Sequence, residues 1–134
     1  MLKKAKRQYK LSEKSLQNLI GVDPRLIKLV HEILWYMDVS VIEGVRSVTQ
    51  QQAYVKKGVS KTMMSKHLTG KAIDLYPYPI PRKANGEIDS DDPRWNKLGR
   101  VGIYCAGTLG YPEIQWGGFW TSLIDKPHFE IEEN

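Results

Sequence analysis

Three side chains in this sequence have the types and contexts that hold a metal ion: His67, Asp74 and His128. The first two share one stretch, Ser65-Lys-His-Leu-Thr-Gly-Lys-Ala-Ile-Asp74, where a glycine turn and the first residues of a strand separate imidazole from carboxylate. One nitrogen and one carboxylate oxygen suit a hard or borderline metal, with zinc the obvious candidate, but two ligands do not make a site. Near the C-terminus, Asp125-Lys-Pro-His128-Phe-Glu supplies a second histidine with a carboxylate three residues ahead of it. Two histidines and one aspartate leave a fourth position open for water, which separates catalytic from structural zinc. Asp125, tied to His128 through the stiff Pro127, suits a place just outside the ligands, where a general base reaches water within about 3 Å.

The elements that must position these groups follow from the pattern of the chain. A strand over 72–76 puts Ala72, Asp74 and Tyr76 on one face and Ile73 and Leu75 on the other. A last strand over 128–132 alternates His128 and Glu130 against Phe129 and Ile131, so pairing the two strands brings their polar faces together. Upstream, a short helix is expected over 11–19. Asp23-Pro24 then caps a core helix with Leu26, Val30, Ile33 and Met37 on one stripe. A β-branched strand over 38–45 closes in Glu43-Gly-Val-Arg46; Gly44 is expected to mark a bulge, and Arg46 is a candidate substrate clamp. Ser47-x-x-Gln50 fits a capping box for a helix ending near Gly58, with Ala53, Tyr54 and Val55 packing inward. Residues 59–64 read as a loop, and the proline-rich 77–92 as a longer surface loop that borders a cleft. Asp92-Pro93 repeats the helix-start signal for a helix over 94–109. Its Gly99, Gly102 and Gly107 each cost about 1 kcal/mol relative to alanine, which close packing on a sheet is expected to offset. Glu113-Ile-Gln-Trp-Gly-Gly is a short strand running into a glycine turn, followed by Phe119 and Trp120. His31-Glu32 begins like a His-Glu-x-x-His motif, but Trp35 stands where the second histidine is needed, so His31 reads as a surface residue.

Composition narrows the function classes. Apolar residues at 41% and charged residues at 26% are ordinary globular values, and 134 residues suit one domain. Cys105 is the single cysteine and lies in an apolar stretch, so it reads as a small buried hydrophobe in a protein made in a reducing compartment. The basic opening segment is interrupted by polar residues before any signal-peptide core, and no transmembrane run follows. The net charge of +5 comes from scattered lysines without a zinc-finger or RNA-binding signature, so nucleic acid is not an expected partner.

The combination Ser65-x-His67-x-x-Gly70-x-Ala72-x-Asp74 with Asp125-x-Pro-His128-Phe resembles the zinc D-alanyl-D-alanine carboxypeptidase (VanY-like) superfamily. The closer similarity is to its phage endolysin branch, the L-alanyl-D-glutamate peptidases. It extends over nearly the whole chain, through Leu11-Ser-x-x-Ser, Gly21-Val-x-Pro, Glu43-Gly-x-Arg46, Gly58-x-Ser-Lys-Thr62 and Trp116-Gly-Gly118. The resemblance implies an α+β, hedgehog/D,D-peptidase-like fold: a small antiparallel sheet with helices packed on it, as one catalytic domain over 1–134 without a separate wall-binding domain. It implies one zinc ion on His67, Asp74 and His128, Asp125 as catalytic base, Arg46 on the substrate carbonyl, and Ser60 and Ser65 lining the site. Glu43 and Glu130 are the alternative carboxylates for the base. The implied substrate is the peptidoglycan stem peptide, cut by a monomer that is made in the host cytoplasm and released with the help of a holin-type membrane-permeabilising protein. The alternatives are a D-alanyl-D-alanine carboxypeptidase and a non-catalytic cell-wall-binding module. One departure stands out: Phe119 follows Trp-Gly-Gly where family members often carry aspartate.

Overall fold

The computed structural model describes residues 2–58, 65–121 and 123–133. Among these residues four α-helices, α1 (Glu13–Asn18), α2 (Pro24–Ile33), α3 (Val48–Lys56) and α4 (Pro93–Leu109), accompany four strands, β1 (Val39–Glu43), β2 (Ala72–Pro77), β3 (Ile114–Trp116) and β4 (His128–Ile131). The strands form one antiparallel sheet in the order β1-β2-β4-β3. This is the expected α+β architecture. Among the described residues no helix is long and apolar enough to cross a membrane.

Alternation along the strands divides the sheet into two chemically different faces. Val39, Val41, Ile73, Leu75, Phe129 and Ile131 are all at most 2% exposed and join Leu26, Leu29, Val30 and Ile33 of α2 and Leu98, Val101 and Cys105 of α4 in one core. Burying such side chains contributes about 1.5–3 kcal/mol each, which is why the register is firmly held. Met37 also reaches this core, though from the turn beyond α2 rather than from the helix, which ends at Ile33. Burial pushes the Cys105 thiol up to about 12, so it packs as a hydrophobe.

The helix-start signals act as expected. Asp23 accepts from the Arg25 amide at 2.9 Å and Asp92 from the Arg94 amide at 2.8 Å, each ahead of a proline in the first helical position. Asp23 also receives Lys71 at 2.7 Å, and Arg25 reaches Glu113 and Glu133, each at 2.7 Å. This network ties the starts of α2, β2 and β3 to the C-terminal end. In α4, a Cβ on Gly99 would meet the Trp116 ring and one on Gly102 the Phe129 ring, each at 2.4 Å, so helix and sheet approach as closely as expected. Gly107 differs, since a Cβ there would meet nothing within 4 Å among the described residues.

The bulge lies at Ile42 rather than at Gly44. Val41 pairs with Leu75 and Glu43 with Asp74, leaving Ile42 as the extra residue. The chain can bulge there because α1 covers the strand edge: Ser15 Oγ accepts from the Val41 amide at 2.9 Å, and Asn18 Nδ2 donates to the carbonyls of Val41 and Ile42. Gly44 has another duty, since a Cβ there would lie 1.9 Å from the Asn18 carbonyl. By shifting the alternation, the bulge turns Glu43 instead of Ile42 towards the polar face.

Candidate metal centre

That polar face carries a row of side chains across the sheet, with Glu43 opposite Asp74 and Asp74 opposite His128. His67 joins the row from a 3₁₀ turn, Lys66–Thr69, which ends at Gly70 with φ +74°. A side chain at Gly70 would be strained by that φ and would also meet the Gly21 carbonyl at 2.6 Å. Ser65 Oγ caps the turn by accepting from the His67 amide at 3.2 Å, and Arg46 N–H donates to the His67 carbonyl at 2.9 Å.

His67 Nε2 lies 3.4 Å and His128 Nδ1 3.1 Å from the same Asp74 oxygen, and the three potential ligand atoms lie within 4.8 Å of one another. Tetrahedral ligands at the usual zinc distances of about 2.0–2.1 Å stand about 3.3 Å apart, so the spacing fits such an ion. The outer ring nitrogens are also committed. His67 Nδ1 donates to the Gly44 carbonyl at 2.9 Å and His128 Nε2 to Glu130 at 2.9 Å, which sets both tautomers with the inner lone pairs facing the centre. Glu130 is itself held by Lys66 at 2.7 Å. Without a metal, burial opposes charge on His128, but hydrogen bonds to Asp74 and Glu130 prevail and raise it to about 9. Burial likewise opposes the Asp74 carboxylate, and the two histidines hold it well below the usual range. The described residues thus form a group that can hold a metal ion.

Asp125 stands beside this group, with its carboxylate 4.0 Å from His128 Nδ1. Its backbone is fastened where the turn after β3 meets it: the Asp125 amide donates to the Gly117 carbonyl at 3.0 Å, and a Cβ on Gly117 would lie 2.2 Å from the Asp125 carbonyl. Burial and the nearby Asp74 raise its pKa, making it a better proton acceptor than an ordinary aspartate. The other two carboxylates are engaged, Glu130 as above and Glu43 with Arg46 Nε at 2.6 Å.

Arg46 is 8% exposed, and its Nη1 donates to Gln51 Oε1 at 2.6 Å and weakly to Ser65 Oγ at 3.4 Å, while the guanidinium lies 4.6 Å from the Tyr54 ring centre. Ser65 is therefore next to Arg46, though its hydroxyl is used chiefly as a cap. Ser60 and the 59–64 loop lie outside the described residues. The Ser47 and Gln50 capping box forms as expected, but α3 turns Gln51 inward and leaves Ala53 exposed. Sequence reasoning passed over Gln51, although a helix without an apolar stripe was the available signal that its inward contact is polar. His31 is exposed, as expected. Phe119, 67% exposed, packs edge-on against Trp116, and Trp120 lies with its ring 5.2 Å from that of His128.

Known proteins resemble this chain in sequence and in fold. The L-alanyl-D-glutamate peptidase of Listeria phage A118 is 35% identical over 96 residues, 71% of this chain, which spans 31% of that longer relative. The peptidase of the same name from Escherichia phage T5 is 34% identical over 129 residues, covering 92% of this chain and 90% of that one. The crystal structure of the Serratia marcescens L-Ala D-Glu endopeptidase ChiX superposes with a TM-score of 0.76 at 32% identity, covering 91% of this chain and 90% of that one. The family model described as phage L-alanyl-D-glutamate peptidase matches residues 7–133, and the chain belongs to that family.

Proposed function

We propose that this protein is a zinc peptidase that hydrolyses the L-alanyl-D-glutamate bond of the peptidoglycan stem peptide during phage-induced lysis. The observation that carries the reading is the convergence of His67, Asp74 and His128 with both outer ring nitrogens tied down and Asp125 alongside. The chemistry a bound zinc supplies is acidification of a coordinated water from about 15.7 towards about 7 and polarisation of an amide carbonyl. Asp125 takes the water proton and delivers it to the leaving nitrogen. Arg46, held by Glu43 and Gln51, donates to the carbonyl oxygen as charge grows there. Glu130 orients His128, and its bond to the outer nitrogen argues against its serving as the base. The enzyme works as a monomer, made in the host cytoplasm and reaching the wall through a holin-type partner.

The test is mass spectrometry of purified peptidoglycan after incubation with metal-stripped protein, with and without added zinc. Zinc-dependent fragments ending at L-alanine, with new amines on D-glutamate, are the expected result; loss of terminal D-alanine alone would overturn it. Asp125→Ala should lower turnover by about 10²- to 10⁴-fold with zinc still bound. Retained cleavage would remove Asp125 from its role.

A further inference from the structure

We infer that a cavity beside Asp125 is the subsite for the glutamyl residue on the leaving side of the scissile bond, and that Lys126 reads that residue's free carboxylate. The inference rests on the proposed peptidase reading. The cavity has a volume of about 340 Å³ and is lined in part by Asp125, whose carboxylate also lies 4.0 Å from His128 Nδ1. The rings of Tyr76 and Trp95, packed edge to face with centres 5.1 Å apart, and Ile124 line it with apolar surface, while Ser90, Asp91 and Lys126 contribute polar groups.

The position follows from the proton path. A carboxylate that hands a proton to the leaving nitrogen must stand beside that nitrogen, so the residue built on it extends into the space Asp125 borders. Glutamate has two carboxyl groups and only one continues the peptide, so its residue brings an unpaired carboxylate into this cavity. Lys126 is built to meet it. Its backbone is fixed, because its carbonyl accepts from Trp116 Nε1 at 2.7 Å, while the preceding Asp125 amide binds Gly117 and the following Pro127 carbonyl accepts from Leu75 at 2.8 Å. Its ammonium has three donors, and among the described residues its one hydrogen bond is a long 3.5 Å contact to the Ser90 carbonyl. Asp91 opposes an anionic ligand, but it is exposed and solvent-screened, whereas Lys126 is half-buried.

The test uses two synthetic stem peptides that differ only in whether the free carboxyl of the glutamyl residue is acid or amide. The zinc-loaded wild type should favour the acid by about 10-fold or more in kcat/KM, chiefly through KM. Lys126→Gln should abolish the preference, Lys126→Arg should keep most of it, and Asp91→Asn should increase it. Stoichiometric zinc binding by each variant reports an intact centre. Equal cleavage of both peptides by the wild type, or a preference that survives Lys126→Gln, overturns the assignment of Lys126 while leaving the peptidase reading in place. Cleavage of neither peptide by the wild type overturns both.

Discussion

Replacing Gln51 by leucine tests whether the arginine beside the metal centre is held in place for chemistry. Gln51 is fully buried, and its side-chain oxygen takes the Arg46 Nη1 proton at 2.6 Å; among the described residues the other acceptor at that nitrogen, Ser65 Oγ, is 3.4 Å away. Leucine has nearly the same volume, so the change removes the acceptor without opening a cavity. A hydrogen bond to a charged group contributes about 1.5–3 kcal/mol, and unfolding free energy in urea should fall by at least that amount. The guanidinium keeps Glu43 and the Tyr54 ring, but one edge is released and can swing from its position on the face of the sheet. If comparable energy serves to hold it against the substrate carbonyl, kcat/KM falls by about 10- to 100-fold at 1.4 kcal/mol per decade. Gln51→Glu keeps an acceptor and should retain more of both. A Gln51→Leu protein within about 0.5 kcal/mol of wild type, the range of a surface change, would refute the structural argument. Lost stability with undiminished kcat/KM would instead refute the placing of Arg46 on the substrate.

Zinc affinity should rise about tenfold per pH unit from 7 to about 9 and level off above, because the metal must displace the proton that Asp74 and Glu130 stabilise on His128; competition with a chelator measures it, and a flat profile would count against the site. Above that pH, where the proton no longer competes, Glu130→Gln should weaken zinc about 10- to 100-fold in the same titration. Hydrogen bonds to Arg25 hold the carboxyls of Asp23, Glu113 and Glu133 below their usual pKa, so their stabilisation is present above the unfolded-state values of about 4 and is lost as pH falls through the folded-state ones. Asp23→Asn should therefore flatten the decline of thermal stability between about pH 5 and pH 2; an unchanged slope would contradict the network's role. Gly102→Ala drives a methyl group into the Phe129 ring and should cost about 1–3 kcal/mol in denaturant unfolding, whereas no loss would mean that α4 can lift off the sheet freely.

What was legible in the sequence is what local chemistry determines. Alternation alone put Asp74 and His128 on the polar faces of their strands, and the register then set them opposite each other. Asp23-Pro24 and Asp92-Pro93 announced helix starts because an N-cap carboxylate and a fixed φ act within three residues. The misplaced features depend on distant partners. A bulge at Ile42 requires Ser15 and Asn18 to satisfy the strand edge, and nothing in Val-Ile-Glu-Gly indicates that. Gln51 points inward because Arg46 waits there, while Ala53, apolar by type, finds no core to enter. Glu130 could serve as base or as second partner of His128 until the ring nitrogen facing it is known.

The division of labour across the fold has a physical reason. Asp74 and His128 sit on β2 and β4, the two inner strands, where pairing on both sides and a filled core beneath leave little freedom to drift. A metal whose ligands must stay within a few tenths of an ångström needs that rigidity. Asp125 and Lys126 lie just outside, on a turn fastened by three backbone contacts but with side chains free to face a cavity. Ser90 and Asp91, which also line that cavity, belong to the loop before α4, outside the four strands. Phe119 fits the same logic, since it packs on Trp116 at the surface, so the departure from the family pattern there leaves the group of His67, Asp74 and His128 that could hold a metal complete. On the proposed reading, selectivity for the substrate can be altered in the loops at small cost to folding, whereas a change in the β2–β4 register would displace Asp74 from His128 and expose core side chains together.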